Sequence, residues 1–225
     1  MLPGGPVTVA GVAEVPLFPL EVVVFPGMTV PIHVFEERYK RLVRFCLEHE
    51  QKRFVVVLVT HNAPIRDTPV GIAEMGALVD VLSVQENADG TFDLLVHGQE
   101  RCGVEVLRRE DVRENDGGHR PLFFVDDRAT PIGRDDPNQE QVAAWDALDT
   151  FREYAVAYFA DGAVSQVEAN LPEDPLYQAS FVCANMRVPL ASRQVLLEAG
   201  SLRERFELAR KMMAEQLGAA SETEA

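Results

Sequence analysis

Hydrophobic and polar positions are most sharply patterned from Val15 to Leu47, V-P-L-F-P-L-E-V-V-V-F-P-G-M-T-V-P-I-H-V-F-E-E-R-Y-K-R-L-V-R-F-C-L. An apolar run leads into a turn, an alternating stretch and a segment of helical period. Pro26-Gly27 suits the two central positions of a type II turn, since proline presets the first φ and glycine accepts a positive second φ. Val30, Ile32 and Val34 share one phase, and Thr29, Pro31 and His33 the other, which is the mark of a half-buried strand. From Glu36 a helix is expected, with Tyr39, Leu42, Val43, Cys46 and Leu47 on one face. The acid-first pairs Glu36–Lys40 and Glu37–Arg41 have the spacing that supports it. Pro16, Pro19 and Pro31 remove backbone donors inside strand-like runs. They predict an irregular, apolar strand pair along a sheet edge, pinned by the helix.

Met1 to Glu14 reads as a terminal tail, weakly strand-like at its end. Phe54 to Thr60 is continuously β-branched or apolar and suits a strand buried on both faces. His61 to Pro69 reads as a loop. Val70 to Val84 returns to strand, with Gly71 and Gly76 as bulge or close-approach points. Asp89-Gly90 signals a hairpin turn, after which Phe92, Leu94 and Val96 alternate with Asp93, Leu95 and His97. Gly98-Gln99-Glu100 is expected to interrupt the strand, which resumes from Arg101 to Leu107. Glu110 to Arg120 reads as a charged loop and Pro121 to Val125 as a last strand. Asp126 to Asn138 reads as a boundary between a β-rich unit, 1–126, and a helical unit, 127–225.

Within the second unit, Gln139 to Phe159 places Val142, Trp145, Leu148, Ala155 and Phe159 on roughly one face. Asp174-Pro175 is an N-cap followed by proline at the first helical position. A short helix is expected over Ala191 to Glu198, with Gly200 ending it. Ser201 to Glu204 is a capping box opening a last helix, which Gly218 is expected to stop.

The chain has 225 residues, enough for one large or two small domains, and a formal net charge of −15. So acidic a chain repels phosphate backbones and anionic lipid, which argues against nucleic-acid and membrane-surface partners. No apolar run approaches the roughly 18 residues of a membrane helix. The first basic residue is Arg38, so no signal peptide is read. Cys46, Cys102 and Cys183 are odd in number and widely spaced, as reduced thiols of a cytoplasmic protein would be.

Catalytic signatures are missing. There is no GxxxxGK[ST], no GxSxG and no HExxH. No catalytic residue, metal or cofactor is therefore expected. His33 and His97 read as solvated or hydrogen-bonded histidines. Asp126-Asp127 and Asp135-Asp136 read as solvated linker charge, and Met212-Met213 as core.

Several motifs nevertheless resemble one family. P-L-F-P-L (16–20), V-F-P-G-M (24–28) and P-I-H-V-F-E-E-R-Y (31–39) are similar to the opening signature of the Lon protease N-terminal, or substrate-binding, domain. V-G-I-A (70–73), D-G-T-F-D-L-L-V-H-G-Q-E-R (89–101), Q-V-L-L-E (194–198) and L-R-E-R-F-E-L (202–208) extend the likeness to residues 14–217. Val15 and Val30 depart from it, standing where leucine is commoner. The resemblance implies an α+β fold, a PUA-like β pseudo-barrel followed by an α-helical bundle. It implies a stand-alone member that recognises polypeptide substrates or partner proteins without cleaving them, and it carries over no catalytic residues.

Phe25, Pro26, Met28, Pro31 and Phe35 are the candidate peptide contacts, although packing within the fold is the commoner job for residues of each kind. Two other roles stay open: a regulatory domain binding a small ligand between the β unit and the helices, and a hydrolase whose residues meet only in three dimensions. The oligomeric state is not set by the sequence.

Overall fold

The computed structural model describes residues 13–50, 52–60, 71–160 and 163–223. The expected tail before Ala13 and the loop over 61–69 fall outside them. The chain separates into two compact units, Met1–Pro131 and Ile132–Ala225. The fold class is α+β, with seven described strands in the first unit and five of six described helices in the second.

The first unit contains β1 (Glu14–Leu20), β2 (Thr29–Val34), α1 (Glu37–Glu48), β3 (Arg53–Leu58), β4 (Met75–Glu86), β5 (Phe92–Gly103), β6 (Val106–Arg113) and β7 (His119–Asp126). Their order across the sheet is β2-β5-β4-β3-β1-β7-β6. The expected edge pair does not form: β2 is an edge and pairs with β5, while β1 lies inside the order. Two prolines are tolerated in β1 because the strand changes partner midway. Glu14 to Pro16 pair antiparallel with β7, and Leu17 to Leu20 pair parallel with β3. Each half is thus paired on one side, so a missing proline donor need not break a ladder.

Two strand limits also differ from the sequence expectation. β5 runs straight through Gly98-Gln99-Glu100, and the irregularity is absorbed by register shifts against β4 at Leu78/Val79 and Val81/Ser83. Glu110 to Arg113 belong to β6, and the turn before β7 is short, with Gly117 at φ 82°. Charge on alternate exposed positions of a hairpin is hard to distinguish from loop charge in a linear sequence.

The core of this unit joins Phe18, Val34, Leu42, Phe54, Val79, Val96 and Phe124. Helix α1 buries Tyr39, Leu42, Val43 and Cys46, and Tyr39 stacks on Phe18 at 4.1 Å. Leu47, expected on that face, stays 45% exposed. The expected i,i+4 pairs are replaced: Arg38 pairs with Glu36, Lys40 with Glu37, and Arg41 with Glu110 of β6. The helix is capped from a distance. Glu36 makes no side-chain cap bond, and the buried Glu114 carboxylate accepts from the Glu37 and Arg38 backbone N–H groups at 2.9 and 3.1 Å.

The second unit holds α2 (Pro137–Tyr158), α3 (Ala163–Asn170), α4 (Pro175–Asn185), α5 (Leu190–Glu198) and α6 (Leu202–Thr223). Helix α2 buries Ala143, Ala144, Ala147, Leu148, Phe151 and Tyr154, leaving Val142 and Trp145 exposed. Reading the face from its bulkiest residues was the error. Small alanines let Leu202 and Phe206 of α6 pack closely. Helix α6 continues beyond Gly218, where an added Cβ would meet nothing within 4 Å. The capping box is altered: Ser201 Oγ accepts from Glu204 N, while the Glu204 carboxylate takes the Gly200 N–H at 2.6 Å.

Two of the paired acids have structural roles beyond solvated charge: Asp136, though exposed, serves as a cap, and Asp126 is buried. Asp136 caps α2 through Asn138 N and Gln139 N, and Asp126 is 5% exposed, accepting Arg128 N at 2.7 Å. Cys46, Cys102 and Cys183 are free and buried.

Candidate functional site

The turn that launches β2 forms as its residues dictate. Gly27 has φ 87°, and Met28 N donates to Phe25 O at 3.0 Å, closing the turn around Pro26-Gly27. Gly98 of β5 grips it: Gly27 N donates to Gly98 O and Gly98 N to Met28 O, both at 2.8 Å. A side chain at Gly98 would collide with the Phe25 carbonyl. Here glycine serves close backbone approach.

From this anchor β2 runs antiparallel to β5 without a register break, from Thr29↔His97 to Val34↔Phe92. Gly98 directs its polar backbone at β2, so by alternation Val96, Leu94 and Phe92 do too, with Val30, Ile32 and Val34 opposite. Thr29, Pro31 and His33 therefore turn their backbone groups outward. Among the described residues no strand pairs with that side. Pro31 lacks a donor there, so the free edge offers N–H groups at Thr29 and His33 and a gap between them.

The sheet face beside this edge is arranged in rows. Pro31, Leu95 and Ser83 are cross-strand neighbours, with Leu82 extruded next to them by the β4 irregularity. Leu82 is 56% exposed and Phe35, just past β2, 62%. To one side, His33 Nδ1 and Asp93 Oδ1 are 2.7 Å apart, and the His33 ring stacks on Phe35. His33 and then Asn87, which donates to the other Asp93 oxygen, hold the Asp93 carboxyl below its usual range. To the other side, Thr29 Oγ1 contacts His97 Nδ1 at 3.3 Å. These two polar pairs are four residues apart along β2, about 13 Å. They flank an apolar row on an open face, so the acid–imidazole pair and the hydroxyl–imidazole pair do not form a relay.

The five candidate contacts separate in space. Phe25 is fully buried and Pro26 is buried, so both serve packing in this structure. Met28 is half-buried, packs against the core, and its sulfur accepts from Phe25 N. Pro31 and Phe35 are exposed, on the face that also carries Leu95 and Leu82. The last two were missed, yet Leu95 left a signal: an apolar residue on the outward phase of an alternating strand.

No group of three metal-holding side chains gathers among the described residues, and none of their helices is long and apolar enough to cross a membrane.

The solved structure titled N terminal domain of Mycobacterium avium complex Lon protease is similar, with a TM-score of 0.65 at 16% identity, covering 90% of this chain and 98% of that one. A Lon N-terminal domain protein from Xanthomonas campestris gives 0.55 at 21% identity, covering 87% and 95%. In sequence, the chain is 26% identical over 208 residues to Lon protease of Escherichia coli K12, covering 91% of this chain and 25% of that protein. It is 28% identical over 204 residues to Lon protease of Xanthomonas oryzae, covering 88% and 22%. The chain thus spans about a quarter of the length of these curated relatives. The family model for the ATP-dependent protease La (LON) substrate-binding domain matches residues 14–215, and the chain belongs to that family.

Proposed function

We propose that this chain recognises exposed, extended segments of other polypeptides, in the cytoplasm, and breaks no bond itself. The observation that carries this reading is the edge of β2 that no strand pairs with among the described residues, flanked by exposed Phe35, Pro31, Leu95 and Leu82. An added strand gains main-chain hydrogen bonds at such an edge, and apolar residues beside it supply contact area. The family's substrate-binding description supports the reading, and three buried cysteines with no disulfide among them suit a reducing compartment.

Fluorescence anisotropy with labelled unfolded proteins and peptides tests it. The native chain is expected to bind, and Phe35→Asp to weaken binding at least about tenfold, the effect of losing one aromatic anchor. Phe35 is mostly exposed, so this substitution leaves the core intact. Absence of binding across the panel would remove the proposal.

A further inference from the structure

The chain segments beside the β2 edge carry acids and no lysine or arginine. From Val81 to Glu100 the chain carries Glu86, Asp89, Asp93 and Glu100 and no lysine or arginine, and the stretch from Glu21 to Glu37 also lacks both. β2 and most of the β4–β5 hairpin are built from these stretches. The one arginine of these strands, Arg101, is buried and spends its guanidinium on the Thr130 and Pro131 carbonyls, so it does not offset the carboxylates beside the free edge. Outside these stretches several acids of the unit are matched: Glu14 by Arg108, Asp80 by Arg53, Glu110 by Arg41. At the edge itself, His33 bonds Asp93 and stacks on the exposed Phe35 ring. A carboxylate and an open aromatic face held together by one imidazole form a natural seat for a guanidinium or ammonium group.

We infer that the segment accepted at β2 is cationic as well as apolar, an extended strand in which a lysine or arginine stands two residues from an apolar side chain, on the same face. This rests on the reading above that β2 accepts a strand, and it specifies which strand. On the outer face, an apolar side chain of the incoming strand lies beside Pro31. A basic one, two residues along, reaches the His33–Phe35–Asp93 group. Side chains two apart fall on the same face of a strand, so this spacing is fixed by geometry. A second copy of this chain is a poor occupant, because it would bring the same carboxylates against each other.

Three peptides with identical apolar residues, and lysine, glutamine or glutamate two positions along from the one seated beside Pro31, distinguish the possibilities by anisotropy. The lysine peptide is expected to bind about tenfold or more tightly than the glutamate peptide at low ionic strength, narrowing as salt screens the contacts. Asp89→Asn with Asp93→Asn, the two acids beside His33, is expected to shrink that ratio. N-methylation scanned along the lysine peptide is expected to weaken binding at alternate positions only, as backbone pairing requires. Equal binding of all three peptides overturns the charge inference and leaves strand recognition standing. Failure of all three overturns the underlying reading. Sedimentation showing self-association that β2 substitutions abolish, without peptide binding, assigns the edge to a second copy and overturns both.

Discussion

Gly98→Ala is the substitution in which local geometry and the proposed site meet most directly. The new methyl would lie well inside contact distance of the Phe25 carbonyl oxygen and 3.0 Å from Val24 Cγ1. The carbonyl is main chain and cannot rotate away alone; moving it disturbs the Met28 N→Phe25 O bond. The two Gly98 bonds to Gly27 and Met28 are disturbed with it. Overpacking costs about 1–3 kcal/mol, and weakening backbone bonds worth about 1 kcal/mol each adds to it. A loss of roughly 3 kcal/mol follows, a large share of the 5–15 kcal/mol typical of a domain. Gly90→Ala is the control. Gly90 also resists substitution, at φ 77°, but a methyl there meets nothing within 4 Å. It should therefore cost only the left-handed penalty of about 1–2 kcal/mol. Urea unfolding followed by β-sheet circular dichroism is the assay. The single tryptophan, Trp145, lies in the helical unit and would not report on this sheet. Amide exchange at Gly27 and Gly98 should accelerate in Gly98→Ala and remain native in Gly90→Ala. Equal destabilisation by both, with exchange at the turn unchanged, would refute the close-approach argument.

Three further outcomes are expected. Glu114→Ala removes the carboxylate that caps α1 and should cost about 1–2 kcal/mol in urea unfolding, with exchange rising first at Glu37 and Arg38. The buried Glu140 carboxylate sits below its usual range because Arg134 and then the Asp135 N–H bond its charged form. A depressed folded-state value means its contribution is complete above the unfolded value of about 4.3 and is lost as pH falls through the folded one. Stability of native protein minus that of Glu140→Gln should therefore be flat at neutral pH and shrink below about pH 4. Burial pushes each of the three thiols up to about 12, so an aromatic disulfide reagent near neutral pH should titrate none in native protein and all three after unfolding.

Much of the site's framework was written locally. Pro26-Gly27 has one comfortable turn to adopt, the Thr29–Val34 alternation fixed which side of β2 enters the core, and the change of period at Glu36 fixed where the helix begins. Asp174-Pro175 likewise opened α4, with Asp174 bonding Leu176 N. These outcomes depend on backbone preferences and burial phase within a few residues, which a linear sequence records.

Strand neighbours were not legible in that way. Pro16 and Pro19 suggested an edge, but β1 is interior and escapes the donor problem by exchanging β7 for β3, a solution that needs both partners in place. Phe25 resembled a contact residue until Gly98, seventy-three positions away, closed over its carbonyl. Glu114 appeared to be loop charge until α1 presented its open end to it. The amino-acid sequence by itself determined the period of the opening segments, the turn chemistry and the family. Tertiary structure alone decided which edge stayed unpaired, which apolar residues remained outside, and which carboxylates became caps. The reason is physical: backbone donors and buried charges are satisfied by whichever group folding brings within about 3 Å, and that proximity has no fixed spacing along the chain.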